Sequence, residues 1–196
     1  MDHTGSTIAG ASTDAAIIER SWHEPHCFAE VFDRHAPHIH RYVVRRLGRE
    51  ASEDVVAETF LVAFRRRTRY DVRRPDARPW LYGIATNLIG QHRRDEVRRY
   101  RQSPPADGAA PCPADRVAAE VTAQSARAAL TAALAGLPAR DRDVLLLVAC
   151  EELTYEEAAA ALGVPVGTVR SRLNRARRKV RTALGTDPTA DTEEPA

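Results

Sequence analysis

Apolar residues recur at helical spacing along most of the chain, and nowhere do they alternate with period two for long enough to make a strand. The first stripe is Phe28, Val31, Phe32, Ile39, Val43 and Leu47, closing at Gly48. Pro37 lies inside it and predicts a kink or a division into two helices. Ser52, a good N-cap, opens a second helix with Glu53 and Asp54 in its first turn and Val55, Val56, Thr59, Phe60, Ala63 and Phe64 on its buried side. Thr68 to Pro79, with two prolines and mixed charge, reads as a loop. A third helix is predicted from about Trp80 to Arg99, with Leu81, Ile84, Ala85, Leu88 and Ile89 inward. Residues before about 22 are small and polar, and predict a loosely ordered N-terminus.

Between Gln102 and Ala114 the pattern lapses into Pro104, Pro105, Gly108, Pro111 and Pro113 among small residues, the composition of an extended linker. Helical spacing then resumes. One helix stops at Gly136, and another starts near Pro138 and buries Val144, Leu145, Leu147 and Val148. Thr154-Tyr-Glu-Glu157 is a capping box opening a short Ala-rich helix. It stops at Gly163, and Pro165 is placed to begin a last helix reaching about Leu184. Short helix, Gly-containing turn and longer basic helix form a helix-turn-helix pattern. The expected fold is all-α: two helical domains, 23–101 and 115–184, joined by a flexible Pro-rich linker at 102–114. A tail at 1–22 and an acidic one at 185–196 flank them.

On a helical wheel, Val166, Val169, Leu173, Ala176 and Val180 of the last helix fall on one meridian. The opposite side collects Arg170, Ser171, Asn174, Arg175, Arg178 and Arg181, with Arg172, Arg177 and Lys179 flanking it. Gly167 near its start would let the helix backbone approach DNA without a side chain in the way. Arg and Asn side chains pair with guanine and adenine edges in the major groove.

Charge sharpens this picture. The formal net charge is only +2, yet the bases are clustered. Arg41 to Arg101 holds 16 Arg against 8 acids, and Pro165 to Thr182 holds six Arg and Lys179 with no acid. Two basic blocks point to two contacts with a polyanion. A preference for Arg over Lys explains the residue type but not the clustering.

Other chemistry is sparse. Cys27, Cys112 and Cys150 are odd in number and far apart, which argues for a reducing, cytoplasmic setting over a disulfide framework. No signal peptide is visible, and the longest apolar run, Val144 to Cys150, is too short to cross a membrane. Cys150 reads as a core filler. Five histidines (His23, His26, His35, His38, His40) sit near Cys27, but no second cysteine is close, so they read as surface residues; no metal and no cofactor is expected. No GKS/T loop, HExxH or carboxylate cluster beside a basic groove supports an enzyme.

Three stretches resemble the extracytoplasmic-function sigma factors of the sigma-70 family of bacterial RNA polymerase: Ser52-Glu-Asp-Val-Val-Ala-Glu-Thr-Phe-Leu-Val-Ala-Phe64, Arg78-Pro-Trp-Leu-Tyr-Gly-Ile-Ala-Thr-Asn87 with His92-Arg-Arg94, and Leu153 to Arg177. The family often has Gln at the position of Ala57 and a basic residue at that of Gly83. The resemblance implies a factor that binds core polymerase through the β′ clamp helices and the β subunit, recognises −35 and −10 promoter elements and helps melt DNA. It also implies the anti-sigma factor that the family usually has. Position by position, it assigns Asp54 and Glu58 to polymerase, and Arg73, Asp76, Trp80, Asn87, Arg93 and Arg94 to the −10 element. Trp80 could stack on an unpaired base, although a large aromatic at a helix start is more often core. Arg170, Ser171, Asn174 and Arg175 fall to the −35 element; Arg98, Arg99, Arg172, Arg177, Arg178 and Arg181 fall to phosphates. The alternative is a stand-alone helix-turn-helix regulator, which would need no polymerase-docking surface.

Overall fold

The computed structural model describes residues 12–102 and 123–185, and these are helical with no strand among them. Two compact units divide the chain, Met1–Gln91 and His92–Ala196. The expected linker at 102–114 and the acidic tail lie, apart from Gln102 and Gly185, outside the described residues.

The first unit opens with a helix that the composition of the N-terminus did not suggest. Helix α1 (Asp14–Arg20) is capped by the Thr13 hydroxyl, which accepts from the Ala16 amide. Ile17 and Ile18 are fully buried. The expectation of a loose tail to residue 22 is therefore corrected from residue 12 onward. Two adjacent isoleucines cannot show a helical period in so short a segment, but they suffice to anchor it. At its end the Trp22 indole donates to the Arg67 carbonyl at 3.0 Å, and the Arg67 guanidinium donates back to the Ser21 carbonyl at 3.1 Å.

A 3-10 turn (Pro25–Phe28) leads into helix α2 (Ala29–Leu47), which runs through Pro37 without dividing. Val31, Ile39, Tyr42 and Val43 on either side of the proline are all buried, so packing holds both halves in one helix. Gly48 ends it at φ +81, a backbone conformation that favours glycine. Helix α3 (Ser52–Arg66) buries Val55, Val56, Thr59, Phe60 and Ala63, as its spacing predicts. Phe60 meets Phe32 of α2 edge-on at 4.8 Å, and Phe64 meets Phe28 at 5.5 Å. Helix α4 (Arg78–Gln102) buries Leu81, Tyr82, Ile84, Ala85 and Ile89 in its first half.

Asp14 ties these segments together. Its carboxylate, 5% exposed, meets the His35 ring of α2 at 2.7 Å and Arg34 at 2.5 Å, and accepts from the Ala77 amide just before α4 at 2.9 Å. His35 is thus buried, a correction to its reading as a surface residue; His23, His26, His38 and His40 are exposed. Burial alone would raise the Asp14 pKa, but the His35 and Ala77 contacts, with Arg34, outweigh it and lower the pKa from 3.8 to about 2.

In the second unit, helices α5 (Ala123–Ala135), α6 (Ala139–Ala149), α7 (Tyr155–Leu162) and α8 (Val166–Ala183) surround Val144, Leu146, Leu147, Ala158, Val169 and Leu173. Leu146 takes the core place expected of Leu145, which is half-buried. Arg142 donates to the carbonyls of Ala135 and Leu137, closing the α5–α6 turn. Cys150 is exposed, not a core filler: α6 ends at Ala149, so Cys150 occupies the cap beyond the apolar face.

A depressed carboxylate pKa stabilises the fold above the unfolded value and loses that contribution as pH falls through the folded value. Asp14 should therefore contribute about 2 kcal/mol at neutral pH, lost between about pH 4 and pH 2. Denaturant midpoints measured across that range should fall for the wild type, and Asp14→Asn should start lower and lose this pH dependence.

Candidate nucleic-acid interface

The helix-turn-helix is built locally. The Glu157 amide donates to the Thr154 hydroxyl at 3.2 Å, and the Thr154 amide donates to the Glu157 carboxylate at 2.8 Å, which is the predicted capping box. Gly163 ends α7 in the left-handed region at φ +62. The Pro165 carbonyl accepts from the Thr168 and Val169 amides, and α8 starts at Val166.

Val169, Leu173 and Ala176 of α8 are buried, while Val166 and Val180 are half-buried at the ends of the same seam. Arg170, Ser171, Asn174, Arg178, Arg177, Lys179 and Arg181 are exposed and Arg172 is half-buried. Nothing would meet a Cβ added at Gly167, so that stretch of backbone is open. The Arg170 guanidinium lies 6.0 Å from the Tyr155 ring, the far limit of a cation–π contact. Ser171 donates to the Thr168 carbonyl within its own helix.

Arg175 is tied to another helix. Its Nε and one terminal nitrogen meet the two Asp141 carboxylate oxygens at 2.8 and 3.0 Å, a bidentate pair between α8 and α6. Asp141 is 3% exposed at its side chain and Arg175 is 49% exposed. The hydrogen bond to Asp141, then its charge, raise the Arg175 pKa. The wheel places Arg175 on the edge of the donor face but could not identify Asp141, 34 residues earlier.

In the first unit, the loop before α4 is braced from within. The buried Tyr70 hydroxyl donates to the carbonyls of Arg74 (2.6 Å) and Asp76 (3.1 Å). Burial, then the Asp14 and Asp76 charges, push its pKa up. Arg73 forks onto Asp71 at 2.8 and 3.0 Å and draws its carboxyl below the ordinary value. Asp76 accepts from the Arg78 backbone amide (2.8 Å) and side chain (2.9 Å). Trp80 is half-buried, with its ring 4.9 Å from Tyr70.

Because α4 is one helix, steps of seven residues return to nearly the same meridian. Trp80, Asn87 and Arg94 therefore share a face with Arg98, and Asn87, Arg94 and Arg98 are exposed. Arg93, half-buried, and Arg99, exposed, lie about a third of a turn to either side of that face. The helix thus does not bring Arg93 together with Asn87. On α3, Asp54 and Glu58 are exposed one turn apart. Leu61, 41% exposed, continues their face. The sequence reading missed it, although Leu61 lies off the apolar stripe of its helix.

Two family profiles match: the one described as Sigma-70 region 2 over residues 31–99, and the one described as Sigma-70, region 4 over residues 127–180. The chain belongs to the sigma-70 family. Relatives within it are extracytoplasmic-function sigma factors. SigE of Mycolicibacterium smegmatis is 34% identical over 92% of this chain and 68% of its own length. SigL of Mycobacterium tuberculosis is 33% identical over 90% of this chain and 94% of its own. CarQ of Myxococcus xanthus is 33% identical over 81% and 89%. Among solved structures, CnrH, determined with the cytosolic domain of CnrY, aligns with TM-score 0.64 at 26% identity, over 89% of this chain and 98% of that one. RpoE of Bartonella quintana, determined with the anti-sigma factor NepR, shares the fold with TM-score 0.64 at 23% identity, over 82% and 98%. This sigma factor serves promoter-specific transcription initiation by RNA polymerase. Sigma factors as a family are not enzymes. The region 2 match covers α2, α3 and most of α4, so a stand-alone regulator is not favoured. Among the described residues, no helix is long and apolar enough to cross a membrane.

The left-handed backbone at Gly163 disfavours any side chain. Gly163→Ala should destabilise the helix-turn-helix of this sigma factor by about 1–2 kcal/mol. Hydrogen exchange at α7 and α8 amides should show the loss, with α1 to α3 amides unchanged.

Proposed function

We propose that this sigma factor reads the −35 element with the exposed face of α8, Arg170, Ser171 and Asn174 meeting base edges. Arg172, Arg177, Arg178 and Arg181 meet phosphates. The observation that carries this reading is an acid-free helix whose apolar seam is buried and whose opposite face is exposed. Arg175 has two tasks: its pair with Asp141 fixes α8 on α6, and its remaining donors face outward to a base. The −10 element falls to the Arg73–Asp76 loop and to the face of α4 bearing Trp80, Asn87 and Arg94. Arg98 and the neighbouring Arg93 and Arg99 serve phosphates. Trp80 acts chiefly by packing on Tyr70, which supports the loop.

Asp54, Glu58 and Leu61 dock on core polymerase, acids at the rim and an apolar contact beside them. The functional boundaries are 23–101 for region 2 and 115–184 for region 4, joined by the linker at 102–114. The protein works in the cytoplasm, without catalysis of its own. The Bartonella quintana relative, determined with an anti-sigma factor, supports a partner of that class here.

Transcription by reconstituted holoenzyme from a library randomised at the −35 element tests the α8 assignments. Arg170→Ala and Asn174→Ala should each relax preference at one position, at a cost of roughly 1–3 kcal/mol. Arg178→Ala should weaken all promoters alike and lower the salt slope by about one unit. Uniform loss from Arg170→Ala and Asn174→Ala would remove base reading from this face.

Replacing Asp54 and Glu58 together by Arg should weaken binding to core polymerase by on the order of tenfold or more, with helix content unchanged. Titration of labelled protein against core enzyme checks it; unchanged affinity would place docking elsewhere.

A further inference from the structure

The junction between α1 and α2 brings together three metal-ligating side chains that promoter recognition does not use. Glu24 precedes the 3-10 turn, Pro25 sets its first residue, and the Cys27 amide donates to the Glu24 carbonyl at 3.0 Å. Side chains three apart eclipse in such a turn, so Glu24 and Cys27 stand over one another. Glu24 Oε2 lies 3.6 Å from Cys27 Sγ. His26 Nε2 lies 3.7 Å from that sulfur and 3.7 Å from the same carboxylate oxygen.

These three distances are close to the edges of one face of a coordination tetrahedron. Zinc bonds of about 2.3 Å to sulfur and about 2.0–2.1 Å to nitrogen or oxygen set ligand–ligand separations of roughly 3.3–3.6 Å. We propose that Glu24, His26 and Cys27 form a three-ligand site for a borderline-soft divalent cation, zinc foremost, with the fourth position open to solvent or to a ligand from a partner. Thiolate, imidazole and carboxylate together suit zinc, whereas magnesium and calcium take oxygen ligands. Glu24 and His26 are exposed while Cys27 is buried, so a metal has a path in from the solvent side and a seat against the fold.

Arg20 is the competitor. Its Nε donates to Cys27 Sγ at 3.1 Å, and its terminal nitrogen pairs with Glu30. A cation at the three ligands displaces the guanidinium from sulfur, and Glu30 retains it. No second cysteine is needed, which is why cysteine spacing gives no sign of the site: the third ligand is a glutamate at the start of the turn. Metal bound here would stiffen the turn between α1 and α2, close to Ser21 and Trp22, whose contacts with Arg67 hold the end of α1.

Cobalt(II) titration of the untagged full-length protein tests the proposal. One equivalent should give a thiolate-to-cobalt charge-transfer band and the intense visible bands of four-coordination, and zinc should bleach both. Cys27→Ser should abolish the charge-transfer band. His26→Ala, an exposed change that leaves the fold intact, should weaken binding by on the order of tenfold or more. A Cys112→Ser/Cys150→Ser double variant should keep the full spectrum. Zinc should also raise the unfolding midpoint of the wild type but not of Cys27→Ser. Absence of charge transfer at stoichiometric cobalt, its persistence in Cys27→Ser or its loss in the double variant would overturn the site. The outcome is independent of the promoter-reading assignments, which concern other elements.

Discussion

A carboxylate withdrawn from water must find partners inside the fold, because an unpaired buried charge costs several kcal/mol. The first unit is organised around one such group. Asp14 brings α1 to α2 through His35 and Arg34, and to the start of α4 through the Ala77 amide. The loop carrying Arg73 and Asp76 is thereby fixed at one end by α1 and braced internally by Tyr70. The second unit repeats the device with Asp141, held by the bidentate Arg175 of α8. In each unit a buried acid orients an element assigned to DNA.

Local signals in the sequence were informative where a single element contains its own reason. The Thr154–Glu157 capping box, the Gly163 stop, the α3 stripe and the α8 seam are all decided within a few residues. What escaped were relations across tens of residues. Nothing near Asp14 announces His35 or Ala77, and nothing near Arg175 announces Asp141. Helix α1 was missed because seven residues give too short a window for periodicity. Of the two outcomes open at Pro37, division does not occur: its intrinsic cost is real, but the buried residues flanking it keep both halves in one helix. Cys150 was misplaced for the opposite reason, since an apolar run carries no mark of where its helix stops.

The candidate DNA surfaces were legible as residue types and only partly as geometry. The continuity of α4 gathers Trp80, Asn87, Arg94 and Arg98 on one face and separates Arg93 from them, a distinction that depends on knowing that no break intervenes. The same logic, applied to α3, adds Leu61 to Asp54 and Glu58. A charge count alone treats all these positions as equivalent.

The chain has two tryptophans, and both serve the first unit: Trp22 through its bond to the Arg67 carbonyl, Trp80 through its contact with Tyr70. Intrinsic indole emission is therefore an optical reporter of that unit alone. The helix-turn-helix, whose described aromatic residue is Tyr155, is silent at those wavelengths. A melting curve followed by indole emission would record the loosening of α1 and the Tyr70 loop, and would miss the recognition helix coming apart.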